Sequence, residues 1–201
     1  LAHIRQLRGK NPSRADNFWL IEINLLVSND RKEQALEAAN TAIKAYPDNV
    51  RLLYARAMLK DSMGNTAEAE QDLRAIIEQQ PDNAVALNAL GYILANQDGR
   101  LTEAEDLISR ALAQDKNNPA IMDSMGWVLF RQGRVDEALN YLQAAYDQFP
   151  DPEVAAHLGE ALWTSGQREK ARKIWRDGLD HNPDDALIRS TMERLGAAPL
   201  P

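Results

Sequence analysis

Residues 119–150 read PAIMDSMGWVLFRQGRVDEALNYLQAAYDQFP. Met122, Met125, Gly126 and Leu129 recur at the three- and four-residue spacing of one helix face. Gln132-Gly133-Arg134 follows as a tight turn. Ala138, Leu142 and Ala145 then line one face of a second helix. Pro150 stops it, because proline lacks an amide proton and clashes with the preceding turn. The stretch predicts two helices folded back on each other.

The same pattern returns along the chain. Upstream, Leu87, Leu90, Gly91 and Leu94 precede Ala104, Ile108 and Ala111; downstream, Leu158, Gly159 and Leu162 precede Ala171, Trp175, Gly178 and Pro183. Two earlier copies carry Trp19, Leu26, Ala35, Ala42 and Pro47, then Leu53, Ala57, Gly64, Ala69, Leu73 and Pro81. The period places repeats at 16–49, 50–83, 84–118, 119–151 and 152–185. Residues 1–15 read as the end of a preceding repeat, with Ile4 and Leu7 on its inner face. Residues 186–195 form a capping helix and 196–201 a flexible tail.

Each landmark has a physical reason. A glycine inside a helix costs about 1 kcal/mol relative to alanine, so Gly126 and its equivalents predict close approach of the second helix. Gly64, Gly99, Gly133 and Gly166 stand between helices, where a positive φ reverses the chain. Asp48-Asn49, Asp82-Asn83 and Asp184-Asp185 read as helix N-caps. Some positions depart from the pattern. The third repeat has an extra residue at Asn96-Gln97-Asp98, and Lys116 replaces its terminal proline. Glu22, Arg56 and Lys60 occupy positions that are apolar elsewhere.

Written as M-x2-M-G-x2-L…A-x3-L…P, the stretch resembles the tetratricopeptide repeat, W-x2-L-G-x2-Y…A-x3-F…P over about 34 residues. The resemblance implies an all-α fold, a right-handed α-solenoid of five helix pairs with a C-terminal capping helix. LLYARAM, PDNAVALNALGYILAN and PAIMDSMGWVLFRQGR, within residues 50–150, are similar to proteobacterial tetratricopeptide outer-membrane lipoproteins. Some of those act as periplasmic adaptors for a carboxyl-terminal processing protease. That likeness implies a lipid anchor and a periplasmic, outer-membrane-anchored location; the residues themselves do not name a compartment.

Composition narrows the function. The chain of 201 residues has 23 Lys and Arg against 30 Asp and Glu, a net charge of −7. No basic stripe for phosphates is visible, which argues against nucleic acid. The densest basic run, Arg172 to Arg176, has acidic neighbours and reads as a solvated helix face. There is no cysteine, so thiol chemistry and zinc-thiolate sites are excluded. No apolar run approaches the ~18 residues of a membrane span. No catalytic, cofactor or metal constellation emerges. His157 stands four residues after Glu153 and three before Glu160 and reads as a surface ion-pair cluster.

In tetratricopeptide arrays the first helices line the concave surface. By that resemblance the residues pointing there are Asn17, Leu20, Asn24 and Val27, then Arg51, Tyr54, Met58 and Asp61. Val85, Asn88, Tyr92 and Ala95 follow, then Ala120, Asp123, Trp127 and Phe130, and last Glu153, Ala156, Glu160 and Trp163. The candidate protein-binding groove is Tyr54, Met58, Asn88, Tyr92, Asp123, Trp127, Phe130, Glu160 and Trp163. Aromatics and methionine are enriched where proteins grip partners; the competing reading is that individual rings pack against the next first helix. Asp61, Asp123, Glu153 and Glu160 predict a partner with some positive charge. A carboxylate clamp is not expected, because Arg51 is the single cation among these positions. The reading is a non-enzymatic scaffold for a protein or peptide segment. Alternatives are a self-assembling array whose end faces make a homodimer, and a regulatory domain of a larger enzyme.

Overall fold

A computed structural model describes residues 1–97 and 99–197. The described residues form α-helices joined by short turns, and no strand occurs among them. The helices are α1 Ala2–Lys10, α2 Ala15–Val27, α3 Lys32–Ala45, α4 Val50–Ser62, α5 Thr66–Gln79, α6 Ala84–Ala95, α7 Leu101–Gln114, α8 Pro119–Arg131, α9 Val135–Gln148, α10 Pro152–Thr164, α11 Arg168–His181 and α12 Ala186–Arg194. A 3-10 turn, Pro12–Arg14, leads into α2. The chain divides into two compact units, Leu1–Ile93 and Leu94–Pro201.

The helix boundaries follow from capping chemistry. Asn49, Asn83, Asn118, Asp151 and Asp185 each accept a backbone N–H from the first turn of the helix they precede. In each of the three expected pairs the second residue is the cap. At the other end, α4, α8 and α10 close identically. Gly64 donates to Asp61 O and Asn65 to Lys60 O, both at 2.9 Å. Gly133 donates to Phe130 O and Arg134 to Leu129 O, and Gly166 to Trp163 O and Gln167 to Leu162 O. This paired closure needs a left-handed residue, and the three glycines have φ of 80°, 80° and 84°. In α2 the same position is Asp30, at φ 54°, a conformation its short polar side chain tolerates.

In the first unit the core is a band of Leu20, Ile23, Leu26, Ala35, Ala39, Ala42, Leu52 and Leu59. The alanines of α3 let it approach α2 closely. In the second unit α8 and α9 meet at Gly126. A Cβ there would lie 2.5 Å from Leu142 Cγ and 3.1 Å from Ala138 O. At Gly159 of α10 a Cβ would lie 2.0 Å from Trp175 Nε1. The atoms that these glycines admit therefore belong chiefly to Leu142 and Trp175, one turn beyond the expected alanines. Trp175 is completely buried.

The residues that break the apolar pattern are buried and paired. Glu22 is 1% exposed and receives Arg5 at 2.7 Å and Arg8 at 2.5 Å from α1. Asp72 of α5 takes Arg56 through both carboxylate oxygens, at 2.8 and 2.6 Å, and Lys60 at 3.0 Å. Each charge removed from water thus has a counter-charge in contact, the condition for burying it.

Helix α12 packs on α10 through buried Ile188, Thr191 and Met192. Its closure continues into the expected tail. Gly196 has φ 63°, and the buried Ala197 donates its N–H to Met192 O at 2.9 Å. That part of the tail is docked; residues 198–201, like Asp98, lie outside the described residues.

Candidate protein-binding surface

Tyr54 and Met58 of α4 border an open cavity of about 620 Å³ in the first unit. Leu20, Asn24 and Val27 of α2 and Val85 of α6 complete its apolar wall. Val27 is 40% exposed and Val85 58%. Among the described residues Arg51 is the single charged side chain lining it, and its guanidinium donates to the neutral amide of Asn17 at 2.8 Å. Burial pushes the Tyr54 hydroxyl and the Asp61 carboxyl above their ordinary pKa values, because it desolvates the charged form of each. On α6, Asn88 and Tyr92 are half-buried. The Asn88 carbonyl oxygen is buried without a hydrogen-bond partner among the described residues.

The second unit treats the matching positions differently. Asp123 is 5% exposed, and both its carboxylate oxygens lie against His157 Nδ1, at 2.9 and 3.1 Å. The His157 ring stacks on Trp127 at 4.2 Å between centroids, 18° from parallel. Trp127 is itself buried; its Nε1 donates to Asn96 Oδ1 at 3.0 Å, and its ring stacks on the half-buried Phe130 at 5.5 Å. Glu160 is buried and takes Arg194 of α12 through both oxygens, at 2.8 and 2.6 Å. Trp163 is half-buried, tilted against Trp175 at 5.7 Å, with Arg168 and Arg172 over its ring at 5.1 and 5.8 Å.

Two sequence expectations change on this geometry. The histidine is part of a buried cross-helix pair, α10 to α8, and not of a surface cluster. The reason is tertiary: α8 presents Asp123 from 34 positions away. Asp123 and Glu160 are also neutralised internally, by His157 and Arg194, so they do not present free negative charge to a partner. For His157, burial alone would lower the pKa. The charge and hydrogen bond of Asp123, with Glu153 and Glu160 behind, outweigh that and raise it above the ordinary 6.5.

The sequence reading placed Tyr54, Met58, Asn24 and Val27 on one face, and the structure brings them together in one hollow. It did not anticipate that this hollow is the open one. Val85, exposed at the start of α6, was the available signal. No helix among the described residues is long and apolar enough to cross a membrane, and the described residues hold no cluster suited to a metal ion.

Helix pairs that repeat a single closure and expose an apolar hollow on their first helices define the class of repeat scaffolds for protein–protein interaction. Models of the tetratricopeptide repeat match residues 22–59, 54–119 and 129–195, and the chain belongs to the tetratricopeptide repeat family. It is 46% identical over 194 residues to the TPR repeat-containing protein PA4667 of Pseudomonas aeruginosa. That match covers 96% of this chain and 33% of the relative, so the chain spans about a third of the relative's length. Among solved structures it resembles a thermophilic TPR protein of Thermus thermophilus, with a TM-score of 0.77 and 20% identity, over 90% of this chain and 98% of that one. It also resembles PilW, a type IV pilus biogenesis factor, with a TM-score of 0.75 and 21% identity, over 92% and 88%. Likeness at this identity extends to the fold alone.

Proposed function

We propose that the protein is a non-enzymatic scaffold that holds a segment of a partner protein on the exposed face of its first helices. The observation that carries this reading is the 620 Å³ hollow walled by Leu20, Val27, Tyr54, Met58 and Val85. A folded chain gains nothing in stability by leaving such surface wet, since burying it is worth about 25 cal/mol per Å², and contiguous exposed apolar surface marks interaction sites. Tyr54 and Met58 are the anchors in this reading. Asn88 and Tyr92 extend the contact along α6; Phe130 and Trp163 are candidate contacts of the second unit by itself, where Asp123, Trp127 and Glu160 shape the scaffold from inside. The division into repeats at 16–49, 50–83, 84–118, 119–151 and 152–185 is part of the same proposal. So is the adaptor role, on an outer-membrane lipoprotein, that the sequence resemblance implies.

The test is chemical cross-linking followed by affinity capture from lysate, comparing Met58→Asp with Glu137→Ala. Glu137 lies on α9 and pairs with Arg134 at the exposed turn. Wild type and Glu137→Ala should retain a common partner, and Met58→Asp should lose it with unchanged helicity. Equal retention by all three would remove the hollow from the binding surface.

A further inference from the structure

The wall of the hollow carries a charge of the opposite sign to the one the acidic composition suggests. Of the four carboxylates on the first-helix faces, Asp123 and Glu160 are buried against His157 and Arg194. The other two, Asp61 and Glu153, do not line the hollow. Among the described residues no carboxylate lines the wall, and the one charged group is Arg51. Four of the six other arginines in the first unit sit on carboxylates, Arg5 and Arg8 on Glu22, Arg56 on Asp72 and Arg74 on Glu70, while Arg31 engages the neutral Gln34. Arg51 is exposed and engages Asn17, which carries no charge. Its positive charge therefore has no ion-pair partner among the described residues.

Resting on the reading of the hollow as a partner site, we propose that its occupant is an extended protein segment pairing a bulky aliphatic side chain with a neighbouring Asp or Glu. The aliphatic group fills the space between Val27, Met58 and Val85. The side-chain carboxylate meets the Arg51 guanidinium, whose planar donor fork suits two oxygens. Asn24, also on the wall, offers its amide group to the segment's backbone. A basic segment is disfavoured, because its cation would face Arg51 with no acid on the wall to receive it. Arg51 thus gives the site a sign preference, while the apolar wall carries most of the affinity.

The experiment uses fluorescein-labelled peptides with a free carboxyl terminus removed by amidation. One has the sequence Gly-Ser-Ile-Ile-Glu-Ser-Gly; others replace Glu by Gln or Lys, or both Ile by Ala. Anisotropy at low salt should rank Glu over Gln by about threefold, the scale of an exposed ion pair. The Lys peptide should bind more weakly still, and the double-Ala peptide should not bind measurably. Arg51→Glu should reverse the order of the Glu and Lys peptides, and added salt should compress the differences. The inference is overturned by a wild type that ignores the charge, or prefers Lys. It is overturned also by a Glu preference that survives in Arg51→Glu. Absence of binding by every peptide counts against it equally. In any of these cases, partner capture that still depends on Met58 leaves the scaffold reading standing; if Met58→Asp captures as wild type does, that reading fails separately.

Discussion

The first helices α4 and α8 carry corresponding residues, and they use them in opposite ways. In α4, Tyr54 and Met58 stand half-buried at the rim of an open hollow. In α8, Asp123 and Trp127 are buried, because His157 of α10 bonds to the one and stacks on the other. The difference lies in what the following first helix offers: α10 brings a flat ring that closes the space, whereas the hollow beside α4 is walled by Val85 and Ala86 of α6. An aromatic residue at a groove position is therefore not by itself a partner anchor. Whether it faces a ligand or the fold depends on the residue that meets it.

The strongest way to break this comparison is to truncate both sites. Trp127→Ala should destabilise the protein by about 3–5 kcal/mol, as large aromatic deletions from a packed core do. Met58→Ala removes a side chain from an open rim and should cost less than about 1 kcal/mol. Urea denaturation of the two variants checks this. Similar losses would mean that the two faces are equally packed.

A smaller effect distinguishes close approach from turn geometry within the second unit. Gly126→Leu drives a side chain into Leu142, already 2.5 Å from a built Cβ, and overpacking costs about 1–3 kcal/mol. Gly133→Ala has open space around it but a φ of 80°, so its cost is the left-handed strain of about 1 kcal/mol. The melting temperature should fall further for Gly126→Leu. The sequence alone placed Gly133 in a chain reversal that calls for positive φ. The positive φ adds this strain, and Asp30 at the equivalent turn shows that a side chain is accommodated there.

The smallest effect tests what holds the second unit's face closed. The folded state raises the His157 pKa above its ordinary 6.5, so folding favours the protonated form. The stability this contributes is complete below about pH 6.5 and is lost as pH rises through the raised value. It amounts to about 1.4 kcal/mol for each tenfold gain in proton affinity on folding. The urea midpoint should decline on going from pH 6 toward alkaline pH, and His157→Gln should flatten that slope. The His157 ring proton signals, followed by NMR, should titrate above 6.5. A titration at or below that value would show that burial outweighs Asp123.

The sequence by itself determined the helices, their order and their ends. A 34-residue period, glycine at most chain reversals and Asn or Asp before α4, α6, α8 and α10 are local constraints, imposed by φ and by unsatisfied backbone N–H groups. They can be read without knowing what packs where. Of the candidate surface, the helix faces were legible for the same reason, since a face follows from helical periodicity. Which side chains on those faces stay open was decided only in three dimensions. Asp123 and His157, Glu160 and Arg194, and Trp127 and Asn96 meet across 31 to 34 residues. Burial, charge and pKa belong to such pairs and not to single residues, so only the packed helices assign Trp127 to the interior and leave Tyr54, Met58 and Arg51 facing water.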